Sequence, residues 1–128
     1  SDAGVSVEDV GYINAHGTST KMNDLSETNA IKHVFGKRAY DIPVSSTKSQ
    51  SGHLIAAAGA LEGAITALCI HNQTVPMTKN RHQADPDCDL DYVTDGVRQQ
   101  KIRVAMSNSF GFGGSNSCLV FKSPEEEL

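Results

Sequence analysis

Two histidines, His16 and His53, each follow a short segment of β-type sequence and are flanked by glycine and hydroxyl residues. In "YINAHGTST" (12–20) His16 comes where an apolar run ends, and in "VSSTKSQSGH" (44–53) His53 follows a hydroxyl-rich loop that contains Lys48. Open α/β sheets place their sites at such strand ends. A neutral imidazole there can donate an N–H to an oxygen that gains negative charge in a reaction. The two histidines are therefore candidates for one oxyanion-binding site.

For His16 the sequence leaves two interpretations open. A histidine beside a turn often serves only the local structure, and that is the first of them. The second is a site residue, and the following residues favour it. Gly17 permits a close approach of backbone or ligand, and the three hydroxyl residues at 18–20 supply donors and acceptors beside the ring.

Lys48 and His53 lie on either side of "SQSG", at the predicted entry to an apolar helix. A helix N-terminus carries about half a positive charge, and a nearby ammonium adds to it, so both favour the neutral form of His53. This predicts a histidine that donates one N–H to a developing oxyanion. The structural alternative makes Ser51 the helix cap and leaves Lys48 in solvent.

Glu62 is the only charged residue between Ser49 and His71. A buried carboxylate costs several kcal/mol unless it is paired or bound to a cation. Glu62 is thus predicted to pair with Lys48 or a distant basic residue, or to bind an ion. The oxygen-bearing residues that would suit a hard monovalent or divalent cation beside it are Asn14, Glu27 and Asn108.

The helix that contains Glu62, "LIAAAGALEGAITALCI" (54–70), is small or apolar all round. It reaches only the lower limit for crossing about 30 Å of hydrocarbon, so we predict a buried helix of a soluble protein rather than a membrane span. Such a helix should be covered on every side, and one small sheet covers one face. We therefore expect a second sheet from another chain or from a missing half of a larger fold.

The local patterns predict an α/β fold. Its order is β-α-β-α-β-β-β, which indicates a largely parallel sheet with antiparallel strands added at the end. The first helix should be capped by Asp24 or Ser26, end at Gly36, and bury a stripe of Ile31, Val34 and Phe35. The predicted strands are 10–15, 42–46, 90–93, 102–107 and 117–122, the helices 24–36 and 53–72, with a polar loop at 73–89, a glycine-rich turn at 107–116 and a solvated tail at 123–128.

The composition excludes several classes of function. The 128 residues suit one domain, and a net charge of −4 offers no basic surface for nucleic acid or an anionic membrane. We expect no signal peptide from the first residues of this sequence. Cys69, Cys88 and Cys118 form no CxxC pair, which favours a reducing compartment over a disulfide framework. Cys69 and Cys118 lie in apolar runs and are expected in the core.

The glycine-rich segment "FGFGGSN" (110–116) is not a nucleotide-binding loop. No lysine follows the glycines and no helix follows the loop, so it fits neither a P-loop nor a Rossmann fingerprint. It offers backbone N–H groups that can point at an oxyanion, with Phe110 and Phe112 as apolar walls.

Three motifs in this order, "NAHGTST", "SSTKSQSGH" followed by "AAGALE", and "NSFGFGGSN", closely resemble the C-terminal half of the elongating 3-oxoacyl-ACP synthases. These are the condensing enzymes of type II fatty acid synthesis, and the likeness extends over essentially the whole chain. The resemblance implies a thiolase-like α/β fold in which residues 1–122 are the C-terminal half of a ketoacyl synthase domain. It also implies a homodimeric enzyme in the bacterial cytoplasm or in a plastid or mitochondrial matrix.

The resemblance implies roles for residues at matching positions. His16 and His53 would hold the malonyl thioester carbonyl during decarboxylation, and Lys48 would tune that site. Phe112 would be the gate, its N–H forming part of an oxyanion hole next to Phe110. No cofactor is required, because acyl carrier protein delivers the substrate on its phosphopantetheine arm. Thr18 and Thr20 would contact that arm, and Asn14, Glu27, Glu62, Ser107 and Asn108 would form the monovalent-cation site of some members.

Some features depart from the family or leave alternatives. "KMN" (21–23) replaces a Pro-x-Gly turn, and the nucleophilic cysteine of the family belongs to an N-terminal half that this sequence does not contain. A fragment of a polyketide-type ketosynthase is one alternative, although modular polyketide synthases usually have glycine where Ser19 stands. A non-catalytic subunit that sets chain length and a freestanding module that binds acyl carrier protein are the other candidates. The histidines and Lys48 argue against the former, and the uncovered helix against the latter.

Overall fold

The computed structural model of the chain describes residues 2–124, in which strands and helices alternate before a final hairpin. The helices are α1 (Lys21–Phe35), α2 (Lys48–Ser51) and α3 (Ala58–Asn72), and the strands are β1 (Val10–Asn14), β2 (Val44–Ser45), β3 (Thr74–Val75), β4 (Arg98–Gln99), β5 (Val104–Phe110) and β6 (Asn116–Lys122).

The main sheet has the strand order β2-β1-β5-β6. β1 pairs in parallel with β2 and β5, and β5 pairs antiparallel with β6, so the predicted mixed sheet is confirmed. Asn14 lies opposite both Ser45 and Ser107, which places the carboxyl ends of three parallel strands at one edge. Apolar residues cover β1 on both faces, with Ile13 in one core cluster and Tyr12 in the other.

α1 begins earlier than the sequence predicts. Thr20 is its N-cap and accepts the Asn23 N–H at 3.4 Å, so the expected caps Asp24 and Ser26 are wrong. The side chain of Asp24 instead accepts the Ser19 N–H at 3.2 Å. The helix ends at Gly36, as predicted, where φ is +55°. Of its apolar stripe Ile31 and Phe35 are buried, but Val34 is 58% exposed.

The helix predicted at 53–72 is broken at its start. α2 ends at Gly52, where φ is +76°, and a 3₁₀ turn at Ile55–Ala57 precedes α3. His53 therefore lies in an irregular segment and not at the first turn of the long helix. Two residues with positive φ, Gly52 and Ile55, explain why the helix cannot run through.

α3 packs on β5 and β6 with one face only. Glu62, Thr66 and Cys69 are buried on that face, whereas Leu68 on the other is 56% exposed. Ile55–Asn72 is long and apolar enough to cross a membrane by length and composition, and 33% of this segment is buried. The cover predicted for every side of α3 is thus absent from the described residues of this chain.

The strand predicted at 90–93 is wrong. Val93 has a φ of +51° and donates its N–H to the side chain of Asp91 at 3.2 Å, and this geometry does not continue a β ladder. The predicted polar loop begins with β3, which forms a two-stranded antiparallel ribbon with β4 further along the chain.

The final hairpin has longer strands than the sequence predicts. β5 extends to Phe110 and β6 starts at Asn116, so the glycine-rich turn shrinks to 111–115 with a 3₁₀ turn at Phe112–Gly114. Of the predicted tail, the Ser123 N–H donates to the Arg103 carbonyl at 2.7 Å, and 125–128 lie outside the described residues.

Two of the three cysteines are buried and one is exposed. Cys69 lies in the core, as predicted, and Cys88 is also buried. Cys118 is exposed, because it lies on the part of β6 that no other element of the described residues covers. Its assignment to the core is therefore wrong.

Candidate functional site

His16 and His53 meet at the carboxyl edge of the sheet. Their ring centroids are 5.5 Å apart with the planes at 86°, and the ring of Phe110 lies 5.4 Å from His16. His16 is buried, with 7% of its surface exposed. Burial is the main cause that lowers the pKa of His16 to about 4, and the ammonium of Lys48 and the neighbouring His53 contribute to the same shift. His16 is thus a neutral imidazole at pH 7, next to a second histidine.

The backbone around His16 is held by the carboxylate of Glu27 on α1. The N–H groups of His16 and Gly17 each donate to Glu27 at 2.9 Å, one to Oε1 and one to Oε2. Asn108, which lies in β5, donates from Nδ2 to Glu27 Oε1 at 3.1 Å. Burial raises the pKa of Glu27, and these three donors oppose the rise. Glu27 and Asn108 therefore fix the histidine loop between α1 and β5.

Gly17 is required at its position for two reasons. Its φ is +42°, and a Cβ there would lie 2.5 Å from Cβ of Ser46. The close approach lets Ser46 Oγ donate to the Gly17 carbonyl at 2.7 Å. The permissive role predicted for Gly17 is confirmed, and Ser46 is the neighbour that sequence analysis did not identify.

His53 lies in the segment from Ser51 to Ala57, and every residue of this segment is exposed. The N–H of Ile55 donates to His53 Nδ1 at 3.1 Å. An acceptor at Nδ1 leaves the proton of the neutral ring on Nε2, so His53 presents an N–H donor at its outer nitrogen.

Lys48 and Glu62 form a buried ion pair between α2 and α3. Lys48 Nζ contacts Glu62 Oε1, and the two side chains are 5% and 3% exposed. Glu62 is therefore buried and paired, as predicted, and the alternative of a solvated Lys48 is wrong. Ser51 is the last residue of α2 and not the cap of the long helix.

Hydroxyl and amide groups surround this pair. Asn14 Nδ2 donates to the Glu62 carbonyl and to Thr66 Oγ1 at 3.3 Å each, and Thr47 Oγ1 donates to Asn14 Oδ1 at 3.3 Å. Sequence analysis did not identify Thr47 or Thr66. Thr66 had a visible signal, because it is the only hydroxyl residue in the apolar run 54–70.

Two of the buried oxygens here lack a hydrogen-bond partner in the described residues, Glu62 Oε2 and Ser107 Oγ. Both belong to the set expected to bind a monovalent cation, and Asn14 is hydrogen-bonded to Glu62 while Asn108 is hydrogen-bonded to Glu27. Oxygen donors without protein partners suit a hard cation. Glu62 Oε2 and Ser107 Oγ therefore suit such an ion, whereas both carboxylate oxygens of Glu27 already accept hydrogen bonds from the chain.

A cleft of about 870 Å³ leads to His53 and Lys48. Thr18 and Thr20 line it, and their hydroxyls are hydrogen-bonded to each other at 3.2 Å. Phe112 is 99% exposed and makes no wall in this structure, whereas Phe110 packs beside His16. The structure thus brings His53, Lys48 and the two threonines to one cleft, and His16 lies behind this lining with its ring next to that of His53.

Comparison with known families assigns the chain. Residues 1–82 match the model of the beta-ketoacyl synthase C-terminal domain, which includes both histidines, Lys48 and Glu62. The chain belongs to the beta-ketoacyl synthases. Its fold is that of the C-terminal half of a thiolase-like ketosynthase, as predicted from the three motifs.

Two curated relatives show the level of similarity. Nodulation protein E of Rhizobium meliloti is 54% identical over 121 residues, which is 94% of this chain and 30% of that protein. The 3-oxoacyl-[acyl-carrier-protein] synthase 2 of Synechocystis sp. is 53% identical over 121 residues, 94% of this chain and 29% of that protein. The chain thus spans about 30% of the length of these relatives.

Solved ketosynthases have the same fold. The ketosynthase of the AntDE:AntF complex, determined with its type II polyketide acyl-carrier protein, is 45% identical with a TM-score of 0.93 over 96% of this chain and 30% of that chain. The ishigamide ketosynthase/chain length factor is 37% identical with a TM-score of 0.92 over 97% of this chain and 30% of that chain.

Proposed function

We propose that this chain forms the C-terminal part of a condensing enzyme of type II fatty acid synthesis, a 3-oxoacyl-ACP synthase. The observation that carries the proposal is the neutral His16 ring 5.5 Å from His53, whose outer nitrogen carries a proton. Two neutral N–H donors side by side suit a thioester carbonyl that becomes an enolate.

The reaction is a decarboxylative condensation. An acyl group is held as a thioester on a cysteine. The malonyl thioester lies with its carbonyl oxygen between His16 and His53; its C–CO₂ bond breaks, CO₂ leaves, and the electron pair forms the enolate. The carbanion attacks the acyl carbonyl and expels the cysteine thiolate, which gives a 3-oxoacyl thioester. The histidines act by stabilising charge in the transition state, and such a donor contributes about 10²–10³ in rate.

Other residues prepare this site. Lys48 helps to keep His16 neutral, because its ammonium disfavours a second positive charge nearby. Thr18 and Thr20 line the cleft that would receive the phosphopantetheine arm of the carrier protein. Phe112 would act as the gate of the family, from an exposed turn.

A monovalent cation at the carboxyl edge would supply positive charge to buried oxygens and no covalent chemistry. The residues that would hold it are Asn14, Glu27, Glu62, Ser107 and Asn108. Glu27 and Glu62 also connect this site to the rest of the centre, because Glu27 holds the His16 backbone and Glu62 holds Lys48.

The nucleophilic cysteine belongs to the remainder of the enzyme. A catalytic cysteine needs an activated thiolate. Burial raises the pKa of Cys69 to about 11, and Cys118 is exposed on β6 and does not line the cleft that leads to His53. Cys88 is buried in the core. The full enzyme would therefore combine this chain with an N-terminal half that supplies the cysteine. We further propose that it is a homodimer that acts with acyl carrier protein, in the bacterial cytoplasm or in a plastid or mitochondrial matrix.

The second candidate is a subunit that sets chain length without catalysing condensation. The structural likeness to a ketosynthase/chain length factor makes it relevant. Such a subunit has no need of the neutral histidine pair and the buried Lys48 that this chain retains. A cysteine in the N-terminal half would support the enzyme, and a substitute for that cysteine would support the subunit.

The proposal is tested with a hybrid in which this chain replaces the C-terminal region of the Synechocystis synthase. With acyl-ACP and then malonyl-ACP we expect an acyl adduct on the N-terminal region, followed by 3-oxoacyl product. The 128-residue chain alone should give neither, as measured by intact mass. An adduct on Cys69, Cys88 or Cys118 with product from the isolated chain would contradict it, as would an inactive, folded hybrid.

A further inference from the structure

Thr66 is a buried hydroxyl residue of α3 that takes no part in the reaction described above. None of its surface is exposed, and it lies one helical turn after Glu62 in a helix that otherwise has no hydroxyl residue. A buried hydroxyl costs free energy unless it is hydrogen-bonded, and valine would fill nearly the same space without that cost. The threonine at this position therefore indicates that its hydroxyl is used.

The hydroxyl of Thr66 acts as a donor to its own helix and as an acceptor to β1. Its Oγ1 donates to the Glu62 carbonyl, four residues earlier, at 2.7 Å, as threonine often does in helices. The single proton of the hydroxyl is thereby used, and the oxygen can only accept from any further partner. That partner is Asn14, whose Nδ2 donates to Thr66 Oγ1 at 3.3 Å.

These contacts hold the side-chain amide of Asn14 in one orientation. Its Nδ2 has two protons, and its two acceptors, Thr66 Oγ1 and the Glu62 carbonyl, both belong to α3. The nitrogen therefore faces α3. Oδ1 faces the start of α2, where it accepts from Thr47 Oγ1 at 3.3 Å. Thr47 and Thr66 thus bind the two ends of one buried amide.

The amide joins three elements that carry residues of the site. Asn14 ends β1 two residues before His16, and Thr47 immediately precedes Lys48 on α2. Lys48 is paired with Glu62 of α3, but a lysine side chain is flexible, so an ion pair alone allows some movement between the two helices. The short, rigid amide of Asn14 adds a fixed distance from both helices to the strand that presents His16.

We propose that Thr47 and Thr66 are positioning residues for the decarboxylation step, which act through the Asn14 amide to set the distance between His16 and Lys48. This inference rests on the proposed function. Neither threonine hydroxyl is hydrogen-bonded to the other among the described residues, and Asn14 is the partner that they share. Misplacement of a catalytic group by about 1 Å can cost about 10²-fold in rate, so a small shift of β1 against α2 is enough to matter.

The test uses variants of the Synechocystis hybrid that separate the hydroxyl from the shape of the side chain. Thr66→Val removes the hydroxyl and keeps the shape, and Thr66→Ser keeps the hydroxyl. Thr74→Val is the matched control, because the Thr74 hydroxyl bonds the Asn72 carbonyl and Gln99 Nε2 next to the β3–β4 ribbon. Decarboxylation of malonyl-ACP and acyl transfer to the cysteine are measured separately, each with kcat and KM, well below the midpoint temperature of unfolding.

We expect Thr66→Val to lower kcat for decarboxylation by about tenfold, with KM for malonyl-ACP and the rate of acyl transfer nearly unchanged. A merely structural role would lower both reactions together, because it would reduce the folded fraction of the enzyme. Thr66→Ser and Thr74→Val should stay close to the wild type. Equal losses in the two reactions, equal losses in the valine and serine variants, or an unaffected Thr66→Val would each overturn the proposal.

Thr47→Val tests the other end of the amide. Because both threonines act through Asn14, the double variant should lose about tenfold, as each single variant does, and not the roughly hundredfold of two independent effects. Losses that multiply would overturn the proposal. If Thr66→Val does not fold, a selective loss of decarboxylation in Thr47→Val supports the proposal and an unaffected Thr47→Val overturns it. An inactive wild-type hybrid would contradict the proposed function, and the same cycle measured by urea unfolding would still decide whether the two threonines act through Asn14.

Discussion

The two histidines are presented by loops that are built in opposite ways. The His16 loop is buried, its backbone N–H groups are bound by Glu27, and its left-handed turn is made by Gly17. The His53 loop is exposed, and its left-handed residue is the β-branched Ile55 at a φ of +53°. One loop is supported directly by its neighbours, and the other is not.

The His53 loop is instead held at its two ends. Lys48 precedes it on α2, Glu62 follows it on α3, and their buried ion pair joins the two helices. Its exposed residues include Leu54 and Ile55. This chain by itself holds the His16 loop in place. We expect the remainder of the ketosynthase to supply the contacts that hold the His53 loop.

The largest effect should come from removing either histidine from the hybrid enzyme. His16→Ala and His53→Ala should each lower malonyl decarboxylation by about 10²–10³-fold, because each removes one donor to the enolate. Acyl transfer to the cysteine should suffer less. His16→Ala, in contrast to His53→Ala, should also lower the midpoint temperature of unfolding, because His16 is buried and His53 is exposed. Decarboxylation near the wild-type rate in either variant would contradict the assignment.

The sequence predicted the His16 side of the site well and the His53 side less well. The apolar run before His16 forms β1, and Gly17 is constrained as expected, because strand ends and left-handed turns depend on local sequence. The helix assigned to 53–72 was wrong at its start. Leucine, isoleucine, alanine and glycine are all compatible with a helix through 54–59, so the local pattern gives no sign of the positive φ of Ile55.

The next largest effect concerns the tether of the His53 loop. Glu62→Gln should lower the free energy of unfolding by roughly 3 kcal/mol, because it leaves the ammonium of Lys48 buried without a counter-charge. The double variant Lys48→Met with Glu62→Gln should recover part of this loss. Urea unfolding of the hybrid, followed by fluorescence, measures both. A Glu62→Gln protein as stable as the wild type would show that the ion pair does not hold α2 to α3.

Other errors have the same physical origin. Residues 90–93 alternate like a strand, yet the Asp91 side chain binds the Val93 N–H and removes it from any ladder. α1 starts one turn early because Thr20 caps it, while Asp24 binds the Ser19 N–H. Each is a side chain that satisfies a backbone group, and the choice between equivalent polar side chains is made by tertiary contacts.

A smaller effect is the titration of His16. Its pKa of about 4 in the folded protein lies below the usual 6.5, so the unfolded chain binds more protons between these values. The stability that this group contributes is present above about pH 6.5 and is lost as the pH falls towards 4. NMR of ¹³C-labelled histidine rings in the hybrid should show His16 titrating near pH 4. In the double variant Lys48→Met with Glu62→Gln, the pKa of His16 should rise only part of the way towards 6.5, because burial is the main cause of its low value. Titration near 6.5 would contradict the buried neutral ring.

The smallest effect separates the two ways of making a left-handed turn. Ile55→Gly and Ile55→Ala both remove the side chain beyond Cβ and both keep the N–H that binds His53 Nδ1. Glycine adopts a φ of +53° without strain, whereas alanine retains the penalty of an L-residue. The glycine variant should therefore be more stable than the alanine variant by about 1 kcal/mol, even though glycine usually costs stability. Decarboxylation rates of the two should agree, because the tautomer of His53 is preserved. An alanine variant at least as stable as the glycine variant would show that Ile55 does not keep this backbone conformation in the assembled enzyme, and that the His53 loop is remodelled when the rest of the ketosynthase covers it.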